Sequence, residues 1–230
     1  MKTIGLLGGM SWESTVVYYR AINEGIKKEL GGLHSAQIAM VSVDFEPLEQ
    51  LQHAGEWGQV AAILVAAAQK IEAAGADFLL ICTNTMHKVA PQIEASTSIP
   101  LLHIADATAA VAREGDIKTV GLLGTAFTME QEFYKGRLSE VHGIEVLVPD
   151  QDDRELIHRV IYDELCLGNV REESRQEYLR IINRLAERGA EAVILGCTEI
   201  GLLVSQNDTA VKLIDTADVH TRKAVEFALE

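Results

Sequence analysis

Two short apolar stretches that each contain two glycines indicate how this chain is organised. The first is IGLLG at residues 4–8, and it recurs 116 residues later as VGLLG at residues 120–124. Each stretch is apolar enough for a buried strand and is followed by a helical pattern, at residues 12–30 and 128–141. Repetition of a strand and a helix at a fixed offset indicates two copies of one structural unit.

A second pair of similar segments lies at residues 69–77 and 183–191, which are 114 residues apart. Each is predicted to be a helix that ends at glycine, the residue that most readily adopts the left-handed conformation found at helix ends. A buried-strand run and then a polar turn containing cysteine follow in both copies. When the copies are superimposed at this offset, Thr83 in the first turn corresponds to Cys197 in the second.

Apolar strands that alternate with longer helical patterns predict an α/β fold with parallel sheets flanked by helices. We expect two lobes related by a pseudo-twofold axis, at residues 1–102 and 103–215, with a C-terminal helix at residues 216–230 packing back on the first lobe. Ligands bind beyond the carboxyl ends of parallel strands. The two polar turns are therefore expected to present Thr83 and Cys197 to one cleft from opposite sides.

The composition excludes several classes of protein. Of the 230 residues, 48% are hydrophobic and 23% charged, which is typical of a globular protein. The 20 lysines and arginines against 34 aspartates and glutamates give a net charge of -14, which predicts neither a nucleic-acid nor a membrane partner. Three widely spaced cysteines form no C-x-x-C pair, so we expect no disulfide framework and no zinc site. Without an export signal or an apolar stretch of roughly 20 residues, a cytoplasmic location is predicted.

The two polar turns carry residue types suited to inverting a stereocentre. Inversion beside a carboxylate needs one group to remove a proton and a second, on the opposite face, to return one. Cys197 precedes a predicted helix start at Thr198 and Glu199, where unpaired N–H groups and the helix dipole would lower the pKa of its thiol. The same N–H groups, with Asn84 and Thr85, would hold a substrate carboxylate and the charge that develops on deprotonation. This chemistry requires no cofactor.

Three motifs give the chain a resemblance to a known enzyme family. They are GLLGGM with its following serine at residues 5–11, CTNTMH at residues 82–87 and GCTEI at residues 196–200. Over nearly its whole length the sequence resembles the pyridoxal-phosphate-independent aspartate/glutamate racemases. The resemblance implies a two-lobed α/β protein, often a homodimer, that inverts acidic amino acids with a pair of cysteines in Cys-Asn-Thr and Gly-Cys-Thr-Glu turns.

The chain departs from the family pattern at the first of these two cysteines. The family's cysteine before Asn-Thr corresponds to Thr83, whereas the second matches Cys197. Cys82 comes one residue too early, and because adjacent side chains of a strand point to opposite faces, we expect it to be buried. We predict that Cys197, as a thiolate, takes the α-proton from one enantiomer. On the other side Thr83, directly or through water, supplies or relays a proton.

Substrate binding is assigned to the turns that follow the predicted strands and to one loop. The resemblance implies that Met10 and Ser11 border the substrate, and Thr125 occupies the matching turn of the second lobe, with an N-cap hydroxyl as the alternative. Gln52, in a predicted loop after Pro47, resembles a family substrate contact, with an ordinary surface position as the alternative. The full predicted set is Met10, Ser11, Gln52, Asn84, Thr85, Thr125, Thr198 and Glu199.

The sequence thus predicts a cofactor-independent racemase, without a metal, for aspartate, glutamate or a similar small amino acid. His87 is predicted to be a structural hydrogen-bonding group and Cys166 a core residue. Since a single cysteine can protonate one face of an enediolate, another reaction of the superfamily, hydantoin racemisation or malonate decarboxylation, is the first alternative. A two-lobed protein that binds an amino acid without chemistry is the second.

Overall fold

The structure is a computed structural model that describes residues 1–230. Its strands are β1 (Ile4–Gly8), β2 (Ile38–Ser42), β3 (Phe78–Ile81), β4 (Thr119–Gly124), β5 (Glu145–Leu147), β6 (Ala192–Gly196) and β7 (Lys212–Asp215). Its α-helices are α1 (Trp12–Leu30), α2 (Phe45–His53), α3 (Trp57–Ala73), α4 (Ala90–Glu94), α5 (Ile104–Glu114), α6 (Ala126–Glu130), α7 (Glu132–Gly136), α8 (Gln151–Asp163), α9 (Glu172–Glu187), α10 (Ile200–Leu203) and α11 (Thr216–Leu229). Short 3₁₀-helices lie at Thr85–Val89, Leu165–Leu167 and Gln206–Asp208, and a π-helical turn at Arg137–Val141. None of the helices combines the length and apolar character that a bilayer span requires.

The first compact unit, Met1–Ile104 with His220–Glu230, is built on a three-stranded parallel sheet. β1 lies in the middle between β2 and β3, and every one of its residues is buried. A strand covered on both faces needs an unbroken apolar run, which the IGLLG stretch supplies. α3 packs against β1 and β2, and its Leu64 and Ile71 join Leu7 of β1 in the core.

The second unit, Ala105–Val219, contains a four-stranded parallel sheet in the order β5-β4-β6-β7. The VGLLG repeat forms β4, and its Gly124 pairs with Gly196 of β6. A Cβ on Gly196 would come within 2.7 Å of the Leu123 carbonyl oxygen, so only glycine permits this approach. α8 and α9 pack against β4. The predicted α/β fold with two parallel sheets flanked by helices is confirmed.

The first long helix forms where the sequence predicts it, over Trp12–Leu30. Its N-cap is Ser11, whose hydroxyl accepts a hydrogen bond of 3.4 Å from the Ser14 N–H and so satisfies one of the free amide groups of the first turn. Its buried face consists of side chains spaced by about one helical turn: Tyr18, Ile22 and Ile26.

Two predictions about local structure are wrong. The helix predicted at residues 128–141 is interrupted at Gln131, whose backbone is extended at φ -95° and ψ 153°, and it forms α6, α7 and the π-helical turn instead. The Gln131 N–H donates to the Phe127 carbonyl at 3.2 Å, so α6 ends on a satisfied turn. The loop predicted after Pro47 is helix α2, because proline fits the first helical turn, where an N–H would have no helical acceptor.

Candidate active site

The turn after β1 is held in place by glycine and by a buried threonine. Gly9 has a φ of +95°, and a Cβ there would collide with the backbone of Val43. The Gly9 N–H donates to the Thr15 hydroxyl oxygen at 2.8 Å, and that hydroxyl donates to the Ser11 carbonyl at 3.0 Å. Met10 and Ser11, both predicted to border the substrate, are therefore buried in a fixed turn at the carboxyl end of β1.

The turn after β3 places two neighbouring side chains, those of Cys82 and Thr83, in different environments. Cys82 is fully buried, as the alternation of a strand predicts, and burial raises the pKa of its thiol. The expectation that Cys82 is buried is confirmed. Thr83 is partly exposed, and Asn84 and Thr85 behind it are buried at the start of the 3₁₀-helix Thr85–Val89.

Gln52 differs from its predicted surroundings. It lies in α2 rather than in a loop, and only 2% of it is exposed. Its amide Nε2 donates to the sulfur of Met86 at 3.6 Å, which brings α2 beside the 3₁₀-helix that follows Thr83. The alternative of an ordinary surface position is therefore wrong.

A carboxylate lies directly against the predicted catalytic thiol in the second unit. Cys197 follows the last residue of β6, and its Sγ–H donates to Oε2 of Glu199 at 2.9 Å. The Thr198 hydroxyl donates to the same oxygen at 2.9 Å, and Cys166 donates to the other carboxylate oxygen, Oε1, at 3.8 Å. Glu199, which is buried, thus accepts hydrogen bonds on both of its oxygens.

The predicted lowering of the Cys197 pKa is wrong. Burial raises the pKa of this thiol well above its ordinary value, and the negative charge of Glu199 raises it further. The following helix, α10, begins at Ile200 and has four residues, so it offers little dipole to stabilise a thiolate. The resting form of Cys197 is accordingly a thiol, hydrogen-bonded to Glu199.

Thr125 caps a helix at the carboxyl end of β4. Its hydroxyl oxygen accepts a hydrogen bond from the Thr128 N–H at 3.3 Å and lies 3.2 Å from the Thr128 hydroxyl. These are the contacts that the N-cap alternative predicts. Within the second unit, Thr125 and the Cys197 turn follow the paired strands β4 and β6, so both lie at the same edge of that sheet.

Comparison with known proteins identifies the family. The profile of the Asp/Glu/hydantoin racemases matches residues 7–224. The chain belongs to that family. A Yersinia pestis protein provisionally described as an Asp/Glu racemase is 54% identical, with both chains covered in full and a TM-score of 0.93. An aspartate racemase homologue from Pyrococcus horikoshii is 35% identical over the whole of both chains, with a TM-score of 0.86. RacX of Bacillus subtilis, a broad specificity amino-acid racemase, is 21% identical over 98% of each chain.

In this member of the Asp/Glu/hydantoin racemase family, the predicted residues other than Gln52 lie in the turns that follow β1, β3, β4 and β6, each at the carboxyl edge of the sheet in its own unit. The first unit contributes Met10, Ser11, Gln52, Thr83, Asn84 and Thr85, and the second contributes Thr125, Cys197, Thr198 and Glu199. No group of three or more His, Cys, Asp or Glu side chains has the arrangement of a metal site.

One residue in contact with the Cys197 turn could not be recognised from the sequence. Cys166 was predicted to be a core residue, but it is partly exposed and its thiol contacts Glu199. The two residues are 33 positions apart, and Cys166 lies in the short 3₁₀-helix Leu165–Leu167. No local pattern marks such a contact, because it depends on how this segment packs against the end of β6.

The Cys197–Glu199 pair has the chemistry of a proton acceptor and donor. The Cys197 thiol donates its hydrogen to the Glu199 carboxylate, so the proton can move along that hydrogen bond. Transfer of the Sγ proton to the Glu199 carboxylate leaves a thiolate and a neutral acid, without adding net charge to the buried turn. The thiolate form is a base and the thiol form an acid, as reversible proton transfer requires.

Proposed function

We propose that this protein is a cofactor-independent amino-acid racemase that inverts the α-carbon of aspartate, glutamate or a similar small amino acid. The observation that carries the proposal is the hydrogen bond of 2.9 Å between the Cys197 thiol and the Glu199 carboxylate. It gives one side of the reaction a group that can remove and return a proton. Membership of the Asp/Glu/hydantoin racemase family supports the reaction class.

In the proposed mechanism the two faces of the substrate are served by different chemistry. Glu199 accepts the thiol proton, and the resulting Cys197 thiolate takes the α-proton from one face of the amino acid. Thr83, directly or through water, delivers a proton to the other face. The internal repeat supports this assignment, since Thr83 and Cys197 occupy corresponding turns. A hydroxyl is a much weaker acid than a thiol, so we expect the two directions to differ in turnover.

Substrate binding is proposed for the buried polar groups of the same turns. A substrate carboxylate and the negative charge that develops on deprotonation need N–H and hydroxyl donors in a water-poor setting. The residues proposed to supply this setting are Met10, Ser11, Gln52, Asn84, Thr85, Thr125 and Thr198. Glu199, predicted from sequence to contact substrate, is now proposed to act on Cys197, because its two oxygens accept hydrogen bonds from neighbouring thiols and a hydroxyl.

The proposal is tested by incubating the purified protein, without added cofactor, with each enantiomer of aspartate, glutamate and homoserine in D₂O. Chiral chromatography with mass spectrometry is expected to show the opposite enantiomer carrying deuterium at the α-carbon. Substituted hydantoins and a malonate are included, because inversion or decarboxylation of these alone would favour the alternative reactions. Binding of an amino acid with no deuterium incorporation would instead identify a binding protein.

Replacing Thr83 by cysteine is expected to bring the turnover of the two enantiomers closer together by about tenfold, because a thiol matches the proton-transfer requirement better than a hydroxyl. The two enantiomers have equal free energy, so kcat/KM must remain equal in both directions while kcat and KM change together. Initial rates from each enantiomer measure this. Thr83→Ser, which keeps the hydroxyl, is the control and should retain the original asymmetry. Unchanged turnover of both enantiomers in Thr83→Cys would make Thr83 a spectator.

Replacing Glu199 by glutamine is expected to lower deuterium exchange by about 10²-fold at neutral pH, because the amide cannot accept the thiol proton. The loss should diminish at alkaline pH, where solvent deprotonates Cys197 directly. The pH dependence of kcat measures the effect. Glu164→Gln is the matched control: this carboxylate accepts a hydrogen bond from Ser174 at 2.7 Å, and its loss should leave exchange unchanged. A Glu199→Gln protein with the wild-type pH profile would contradict the role proposed for Glu199.

We further propose a homodimer, supported by the family resemblance, and a cytoplasmic location, supported by the three cysteines that form no disulfide. Sedimentation equilibrium over a range of protein concentrations measures the mass of the particle in solution, and cell fractionation measures its location. A monomer at all concentrations would contradict the proposed assembly without affecting the proposed chemistry.

A further inference from the structure

A buried histidine, His87, is hydrogen-bonded both to the turn that contains Thr83 and to Ile104, where the Met1–Ile104 segment of the first unit ends. The Nδ1 atom of His87 lies 2.8 Å from the Thr83 carbonyl oxygen, and its Nε2 lies 3.2 Å from the Ile104 backbone nitrogen. The carbonyl only accepts and the backbone N–H only donates, so the contacts determine the tautomer. His87 carries its hydrogen on Nδ1, donates it to Thr83 and accepts from Ile104.

A second buried histidine is fixed in the opposite tautomer. The Nε2 atom of His220 is 2.8 Å from the Leu102 carbonyl oxygen, to which it must donate. Its Nδ1 atom is 2.8 Å from the Tyr18 hydroxyl oxygen. The His87 and His220 rings are close, with centroids 6.1 Å apart. One histidine therefore binds Leu102 and the other Ile104, and together they hold both ends of this three-residue segment.

Of the two histidines, only His87 reaches the Thr83 turn. Its donor acts on the carbonyl of Thr83 itself, whose peptide group sets the orientation of the Thr83 backbone and hence the direction of its Cα–Cβ bond. His87 is buried, as are the Asn84 and Thr85 side chains that follow Thr83. The partly exposed Thr83 side chain thus extends from a backbone that is anchored on its inner side.

We propose that His87 is a positioning residue for Thr83. Through the Nδ1–H hydrogen bond to the Thr83 carbonyl and the Nε2 hydrogen bond from Ile104, it fixes the backbone that directs the Thr83 hydroxyl toward the substrate. The proposal rests on the proposed function of Thr83 as the proton donor of one face. His87 itself touches no reacting atom.

Two substitutions separate the hydrogen bonds of His87. The amide nitrogen of asparagine falls near the position of Nδ1, so His87→Asn keeps the donor to Thr83 and loses the acceptor for Ile104. The amide oxygen of glutamine falls near the position of Nε2, so His87→Gln keeps the acceptor and loses the donor. Each variant removes one of two buried hydrogen bonds, and their losses of stability are therefore matched.

The readout is where deuterium appears when the reaction starts from the enantiomer that Cys197 deprotonates. A misdirected Thr83 fails to protonate the far face. Once the Cys197 thiol has exchanged its proton with D₂O, the deprotonated intermediate takes deuterium back on the Cys197 face and returns as labelled substrate. His87→Gln is expected to raise the ratio of labelled substrate to labelled product by about tenfold, whereas His87→Asn should stay near the wild-type ratio. Equal ratios in the two variants would overturn the proposal.

Tyr18→Phe is the control for stability alone. It removes the hydrogen bond to His220 and leaves the contacts of His87 in place, so the unfolding temperature should fall while the labelling ratio stays unchanged. A changed ratio in Tyr18→Phe would show that any loosening of this region misdirects the proton, which would overturn a specific role for His87.

Two measurements do not depend on activity. Imidazole ¹⁵N shifts of the wild-type protein are expected to report a neutral His87 with hydrogen on Nδ1, and a hydrogen on Nε2 would overturn the proposal. Amide hydrogen exchange at residues 83–86 should accelerate in His87→Gln and not in His87→Asn. If the wild-type protein incorporates no deuterium into any substrate, the proposed function fails, while equal amide exchange in the two variants is what would show that His87 does not hold this turn.

Discussion

Alanine at position 197 is expected to abolish inversion of both enantiomers, with a loss of about 10³-fold or more. Both directions are lost because inversion removes a proton from one face and returns one to the other, and Cys197 serves one face in either direction. Alanine also leaves the Glu199 carboxylate without the thiol whose proton it accepts. Deuterium incorporation into each enantiomer, followed by mass spectrometry, measures the effect.

Cys82→Ala is the matched control for the loss of a thiol. Cys82 is fully buried, and its removal is expected to lower the free energy of unfolding by about 1 kcal/mol through the cavity it leaves, without changing exchange. A Cys197→Ala protein that exchanges as fast as the wild type would remove the proposed role of Cys197. Loss of exchange in a correctly folded Cys82→Ala protein would instead assign the proton-transfer role to Cys82.

Acidification is expected to destabilise the protein between about pH 6.5 and pH 4, the range set by its buried histidines. Burial lowers the pKa of His220 to about 4, and burial together with the charges of His103 and His220 lowers the pKa of His87 well below its ordinary value. The unfolded chain binds protons on these rings near pH 6.5, before the folded chain does. The stability that these two neutral histidines contribute is therefore fully present above about pH 6.5. It is lost as the pH falls toward their lowered pKa values in the folded protein.

The expected contribution of His220 is about 3 kcal/mol of unfolding free energy, from a difference of about 2.5 pKa units between the folded and unfolded states. Guanidinium unfolding at a series of pH values from neutral to about pH 4 measures the slope, provided that unfolding is two-state. His220→Gln is the informative variant, because the amide keeps a donor for the Leu102 carbonyl and does not titrate. It should be less stable at neutral pH and show a shallower slope. An unchanged slope would show that His220 does not bind its proton preferentially in the unfolded chain.

Much of the fold could be predicted from the sequence because its signals are local. The apolar runs predicted at residues 4–8 and 120–124 form buried strands, and the helix predicted at residues 12–30 forms over Trp12–Leu30. The burial of Cys82 follows from the alternation of side chains along a strand. Each of these features depends on neighbours within a few residues.

Other features of the structure could not be predicted from local sequence patterns. No local pattern marks the break at Gln131, and Pro47, which suggested a loop, lies instead in the first turn of α2, where proline is tolerated. The contact of Cys166 with Glu199 joins residues 33 positions apart. Spacing along the chain gave no sign of it.

The sequence by itself determined the two α/β units, the family and the residues at the ends of the strands. Only the tertiary structure decided the electrostatic state of those residues: the raised pKa of Cys197, its pairing with Glu199 and the single tautomer of His87. The physical reason is that strand and helix formation follows from periodicity along the chain. The protonation of a side chain depends instead on its burial and on the charges and hydrogen-bonding groups that folding brings within a few ångströms.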